Sequence, residues 1–158
     1  MYERILVPLD GSRVGEAALP HVEKLVSRLS PGGKVEVTLL QVLSSMSHFV
    51  VAGEASAQIP YTEQEMRQIR KKAMDYLNTA GKKLRKKGAV VKTRISVGSA
   101  ADEIISTAEK IRADWIAMST HGRSGISRWA FGSVTDRVLR GGNKPVLIVR
   151  APKETAQT

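Results

Sequence analysis

The chain has 158 residues, 42% hydrophobic and 25% charged, with no cysteine and with 25 Lys and Arg against 15 Asp and Glu, a formal charge of +10. That length and apolar fraction suit one domain with a real core rather than a disordered chain. The missing thiols exclude disulfides, Cys-based zinc or iron–sulfur sites and a cysteine nucleophile, and the basic balance favours anionic partners in general.

Ile5-Leu6-Val7 is a short apolar run with Pro8, Asp10, Gly11 and Ser12 behind it. This is the pattern of a buried strand ending in a turn. The run is too short for a signal-peptide core. Ala18, Val22, Leu25 and Leu29 then recur at helical spacing and predict a helix over 13–30. Pro20 should bend that helix or displace its start, and Pro31-Gly32-Gly33 stops it.

Val35 to Val42 is rich in β-branched residues and predicts a second strand. The small, polar stretch from Ser44 to Pro60 reads as a long loop, a functional flap or a flexible segment. Val37 to Gly53 is the longest run without a charge, but Thr38, Gln41, Ser44, Ser45, Ser47 and His48 make it a poor membrane span. A soluble cytoplasmic protein without a membrane partner is therefore expected.

Thr62-Glu63-Gln64-Glu65 is a capping box. Met66, Ile69, Ala73, Leu77, Ala80 and Leu84 continue at helical spacing, so a helix is predicted over 63–87, ended by Gly88. Much of the basic excess falls between Arg67 and Lys87, without interleaved aromatics. It reads as a solvated helix face rather than a nucleic-acid surface.

Ala89 to Val97 predicts a third strand, and Ser99 can cap a helix carrying Ile104, Ile105, Ala108 and Ile111. Trp115 to Met118 predicts a fourth strand, Ser119 to Phe131 a Gly- and Ser-rich loop, and Ser133 to Arg140 a short helix closed by Gly141-Gly142. Pro145 to Val149 is the last strand. The domain is expected over 1–150, with a polar tail over 151–158. Strict alternation of strands and helices implies a parallel sheet with helices on both faces and right-handed crossovers. Ligands of such sheets bind beyond the carboxyl ends of the strands, where the strand order reverses.

The loop after the fourth strand carries the most chemistry: Ser119-Thr120-His121-Gly122-Arg123-Ser124, then Ser127, Arg128 and the Gly132-Ser133 helix entry. Glycines let backbone N–H groups approach an anion. A helix start offers free donors at its positive end, and Arg123 and Arg128 add charge. This is a phosphate cradle, or else an ordinary connecting loop in which Ser133 is only a cap. Asp10 is likewise a ligand-facing acceptor or a turn residue. Gly-x-Gly-x-x-Gly, Gly-x-x-x-x-Gly-Lys-Ser/Thr and Gly-x-Ser-x-Gly are all absent. A dinucleotide-binding enzyme, a P-loop NTPase and an α/β hydrolase are set aside on that ground.

Over residues 2–150 the sequence resembles the universal stress protein family. The opening Ile5-Leu6-Val7-Pro8-Leu9-Asp10-Gly11-Ser12 is similar to the family's N-terminal signature. Ser119 to Arg140 followed by Asn143-Lys144-Pro145-Val146-Leu147-Ile148-Val149 is similar to its C-terminal one. The resemblance implies an α/β fold: a five-stranded parallel sheet in the order 3-2-1-4-5, Rossmann-like and akin to the adenine nucleotide alpha hydrolases. ATP-binding members carry Gly-x-x-Gly-x(9)-Gly-Ser/Thr after the fourth strand. Here the matching positions are Ser119, Gly122, Gly132 and Ser133, so the first glycine is a serine.

Carried over by position, Pro8, Asp10 and Val42 would line the adenine and ribose side. Met118, Ser119 and Gly122 would lie beneath the nucleotide, and Gly132, Ser133 and Val134 would hold the phosphates, with Arg123 counted among the nucleotide-binding residues for the charge it adds to the loop. The implied ligand is ATP, with Mg²⁺ or Mn²⁺ held through its phosphates and no metal site on the protein itself. The implied role is a dimeric nucleotide-dependent sensor or regulator in the stress response, joined through the fifth strand, Val146, Leu147, Ile148 and Val149. A slow metal-dependent ATPase at the same site and a nucleotide-free dimeric interaction module are the alternatives.

Overall fold

Ile5, Leu6 and Val7 have no exposed surface, because the strand they build lies in the middle of a sheet covered on both faces. The computed structural model describes residues 1–44, 47–120 and 131–152. In chain order its elements are β1 (Tyr2–Pro8), α1 (Leu19–Leu29), β2 (Lys34–Leu43), β3 (Ser47–Ala52), β4 (Ala55–Pro60), α2 (Glu63–Ala80) and α3 (Lys82–Lys86). There follow β5 (Val90–Val97), α4 (Ala100–Lys110), β6 (Trp115–Thr120), α5 (Ser133–Gly141) and β7 (Val146–Arg150).

The main sheet runs β5-β2-β1-β6-β7, with every neighbouring pair parallel. Numbered among themselves, these five strands stand in the expected order 3-2-1-4-5. Period-two alternation then sorts the core. Ile5, Val7, Val37 and Leu39 pack with Val22, Val26, Leu77 and Leu84 beneath α1, α2 and α3. Leu6, Leu40, Ile116 and Met118 pack with Ala101, Ile104, Ala108 and Val138 beneath α4 and α5.

Several boundaries differ from the sequence expectation. The first helix does not start at 13: a 3₁₀ turn over Gly15–Ala18 precedes α1, and Pro20 sits in the first turn, where its missing N–H costs nothing. Within the expected Ser44–Pro60 loop, residues 47–60 form an antiparallel hairpin, β3–β4, whose two-residue turn starts at Gly53 with φ 65°. The 63–87 helix is two helices broken at Gly81. A Cβ there would come within 2.9 Å of Val91 Cγ1 and 3.3 Å of Leu39 Cδ1, so a glycine is needed for the helix to pass this close to the sheet. Ser99 occupies the N-cap of α4 but makes no side-chain capping bond. Ser119 and Thr120 belong to β6 rather than to a loop. Ala151 is buried and its N–H donates to the Thr120 carbonyl at 2.9 Å, which ties the chain down one residue past the expected domain end. Among the described residues no helix is long and apolar enough to cross a membrane.

Candidate functional site

From β1 the chain order runs outward both ways, to β2 on one side and to β6 on the other. The strand order therefore reverses between β1 and β6, and a crevice forms at their carboxyl ends. A cavity of about 350 Å³ lies there, within the range of small-molecule sites, ~300–1,000 Å³. One wall comes from Pro8, Leu9 and Asp10 after β1, with Leu40 and Val42 of β2. The floor is Met118, Ser119 and Thr120 of β6, and the far wall is Gly132, Ser133, Val134 and Thr135 at the entry to α5. Eight of the ten predicted site residues thus line one cavity; Gly122 and Arg123, with the rest of 121–130, lie outside the described residues.

Asp10 is exposed and organises the turn after β1. Its Oδ1 accepts from the Ser12 N–H at 2.9 Å and from the Ser12 hydroxyl at 2.6 Å, and Ser12 Oγ accepts from the Gly15 N–H at 3.0 Å. Gly15 lines the cavity too, and a Cβ on it would collide with the Asp10 carboxylate. Both readings of Asp10 therefore meet in one place: it is a turn residue, and it stands at the cavity wall. Beneath this loop α2 contributes Tyr76. Burial pushes its hydroxyl well above the ordinary range, and the neighbouring Glu16 and Asp10 carboxylates push it the same way.

Ser119 has a structural task. Its Oγ donates to the Gly15 carbonyl at 2.8 Å and accepts from the Ala18 N–H at 2.8 Å, which staples the turn after β1 onto β6. Among the described residues Arg112 alone, of the non-glycines, has positive φ. A serine therefore stands where the family pattern has glycine without needing left-handed backbone.

Gly132 opens α5 with φ −58° and ψ 156°, and no side chain caps the helix. The N–H groups of its first turn have no intrahelical acceptor and sit at the positive end of the helix dipole. Here they belong to residues that line the cavity. Among the described residues the nearest atom to a Cβ on Gly132 is Thr120 Oγ1, at 3.9 Å, an ordinary contact. Asp136, in the same first turn, is paired with Arg140 at 3.0 Å. Chemically the cavity joins an apolar slot to the positive end of a helix, which suits a flat apolar group carrying an anion.

The sequence did not single out Leu9, Gly15, Leu40, Thr120 or Thr135, nor Ala100 and Ile104 of α4, all of which line the cavity. Leu40 was within reach, since it lies two residues before Val42 on the same face of β2. Ala100 and Ile104 were not, because only the packing of α4 against the sheet brings them there.

The model of the universal stress protein family matches residues 1–150. Universal stress protein MJ0577 of Methanocaldococcus jannaschii is 31% identical over 159 residues, covering 95% of this chain and 96% of that protein. The solved structure of MJ0577 superposes with a TM-score of 0.71 at 29% identity, covering 98% and 99% of the two chains. The same fold is shared by a universal stress protein from Archaeoglobus fulgidus solved in complex with dAMP (TM-score 0.61, 22% identity, 93% and 97% covered). It is shared as well by a universal stress family protein from Arabidopsis thaliana solved with AMP bound (TM-score 0.64, 18% identity, 99% and 96% covered).

Proposed function

The chain belongs to the universal stress protein family, and from that premise we propose that it binds an adenine nucleotide, ATP in particular, and acts as a dimeric nucleotide-dependent regulator. The observation that carries this reading is the cavity where the strand order reverses, walled by the uncapped first turn of α5. Pro8, Leu40 and Val42 offer apolar surface to a base, and Asp10 stands where a ribose hydroxyl could donate to it. Ser133 and Val134 offer backbone N–H groups to phosphate oxygens at the positive end of a helix, beside Gly132, whose own N–H donates to Thr120 Oγ1 at 3.4 Å. Ser119 contributes through its backbone and position, its hydroxyl being already bonded. The nucleotides named for the Archaeoglobus and Arabidopsis structures agree with this choice of ligand class.

A divalent ion would enter with the phosphates and neutralise their charge. Among the described residues no three His, Asp or Glu side chains gather to hold one. Asp10, the acid at the cavity wall, already accepts two hydrogen bonds from Ser12. The activity proposed is binding.

Gly132→Val tests the site. Its Cβ meets no described atom closer than 3.9 Å, so the fold should persist while the approach of phosphate to the backbone is blocked. Calorimetry should find ATP affinity reduced by roughly tenfold or more, the loss of one or two charge-assisted hydrogen bonds. Unchanged affinity in a folded variant refutes the location.

A further inference from the structure

Each strand of the main sheet runs in the same direction, so every crossover must bring the chain back to one end before the next strand begins. The returns over 28–34, 82–89, 109–114 and 140–145 therefore meet at the end of the sheet opposite the cavity. Together they hold eleven Lys and Arg against two acids, Glu109 and Asp114. Asp114 is engaged as well, accepting the Arg4 backbone N–H at 2.7 Å. Cations far apart in sequence are gathered on one face of the molecule.

Two of these turns touch. Gly88, at φ 96°, packs so closely that a Cβ on it would lie 3.2 Å from the Ser30 side chain. This sets Lys86 and Lys87 beside the return that carries Arg28 and Lys34. Cations at a helix end complement its dipole, but that effect asks for one or two. The five residues of α3 read Lys-Lys-Leu-Arg-Lys, with only Leu84 buried. Lys82, Lys83, Lys86 and Lys87 are exposed, and none has a carboxylate partner among the described residues.

We propose that this end of the molecule docks on an anionic lipid surface, leaving the nucleotide cavity at the opposite end open. Cations spread over four turns around one end match a broad sheet of charge. Lysine outnumbers arginine there, a hydrated point charge rather than the planar fork favoured in nucleic-acid recognition. The aromatic residues at this end offer no stacking platform for bases. Tyr2 donates its hydroxyl to Glu36 at 2.7 Å and carries Arg4 4.4 Å over its ring, and Trp115 packs against the core. A peripheral contact of this kind needs no spanning helix.

Co-sedimentation with vesicles tests it, using the full chain. Phosphatidylcholine vesicles should leave the protein in solution, vesicles with ~30% phosphatidylserine should pellet it at about 0.1 M salt, and about 0.5 M salt should release it. Reversing Lys82, Lys83, Lys86 and Lys87 to Glu should weaken this binding by roughly tenfold or more. Reversing Arg67, Arg70, Lys71 and Lys72 to Glu makes the same charge change on the cavity half of α2 and should retain most of it. Circular dichroism checks that both variants fold. If the first does not, Lys86→Gln with Lys87→Gln should still weaken binding roughly threefold. Absence of phosphatidylserine-dependent sedimentation, equal loss in both reversals, or tighter binding of DNA or RNA than of vesicles at the same salt overturns the proposal.

Discussion

Ser119 joins two segments about a hundred residues apart, bonding the carbonyl of Gly15 and the N–H of Ala18. Replacing it by glycine removes both bonds and adds backbone freedom within a strand. Ser119→Gly should cost about 1–3 kcal/mol in urea unfolding. ATP affinity should not rise, because the serine already adopts extended backbone; a large gain in calorimetry would show instead that the hydroxyl obstructs the site. Gly15 makes the complementary case. Gly15→Ala drives a methyl into the Asp10 carboxylate, so the Asp10–Ser12 bonds must give way. We expect a loss of about 1–3 kcal/mol in stability together with weaker nucleotide binding. A variant as stable as wild type, with unchanged affinity, would show that the turn tolerates the displacement. The Asp10-Gly11-Ser12 turn was legible because Asp and Ser bond nearby backbone in any context; the crowding between Asp10 and Gly15 was not.

Among the elements, α2 is the one whose start was written most plainly. Thr62 Oγ1 accepts the Glu65 N–H at 3.2 Å and Glu65 Oε2 accepts the Thr62 N–H at 2.7 Å, the reciprocal box that the four residues predict. Thr62→Ala should therefore cost about 1 kcal/mol, read as a lower urea midpoint with unchanged slope. Strands β2 and β5 share a different lock. Glu36 is buried, and burial alone would raise its carboxyl. Hydrogen bonds from Lys92 at 2.9 Å and Tyr2 at 2.7 Å, with the charges of Lys92 and Arg4, outweigh that and hold it below its ordinary 4.5. A carboxyl lowered in the folded state contributes stability that is complete above the unfolded value and lost as pH falls through the folded one. Glu36→Gln should shrink the stability difference between about pH 7 and about pH 3; an unchanged difference would assign acid sensitivity to other groups. The hairpin β3–β4 escaped the sequence reading because Phe49 to Ala52 do not alternate and the Ala, Ser and Gln of β4 are weak strand formers, and its Phe49 and Val51 are left exposed.

For the whole molecule, β5 and β7 are the two open edges of the main sheet. Strand β7 carries no internal charge before Arg150, and Leu147 is 41% exposed on it. An uncharged edge of this kind invites pairing with another strand. A second copy related by a two-fold axis would satisfy it with a self-complementary contact. The dimer proposed with the nucleotide reading should therefore form through β7. Leu147→Lys, at an exposed position, should shift the protein toward monomer in analytical ultracentrifugation without lowering its nucleotide affinity. Wild type sedimenting as a monomer at micromolar concentration would reject this assembly.

What the sequence determined by itself was whatever depends on neighbours along the chain. Apolar periodicity marked the main-sheet strands and the helices, Thr62 to Glu65 marked a helix start, and alternation implied a parallel sheet that opens where its order reverses. Tertiary structure decided whatever depends on residues that meet only after the crossovers close. It set Ala100 and Ile104 into the cavity wall, gave the Ser119 hydroxyl partners a hundred residues away, and broke a predicted helix at Gly81, where the sheet leaves no room for a Cβ. It also turned a charge excess that reads along the chain as one basic helix into a cationic end drawn from four separate returns. The physical reason is that periodicity and capping act over one or two turns of chain, whereas a parallel sheet fixes which distant turns share an end.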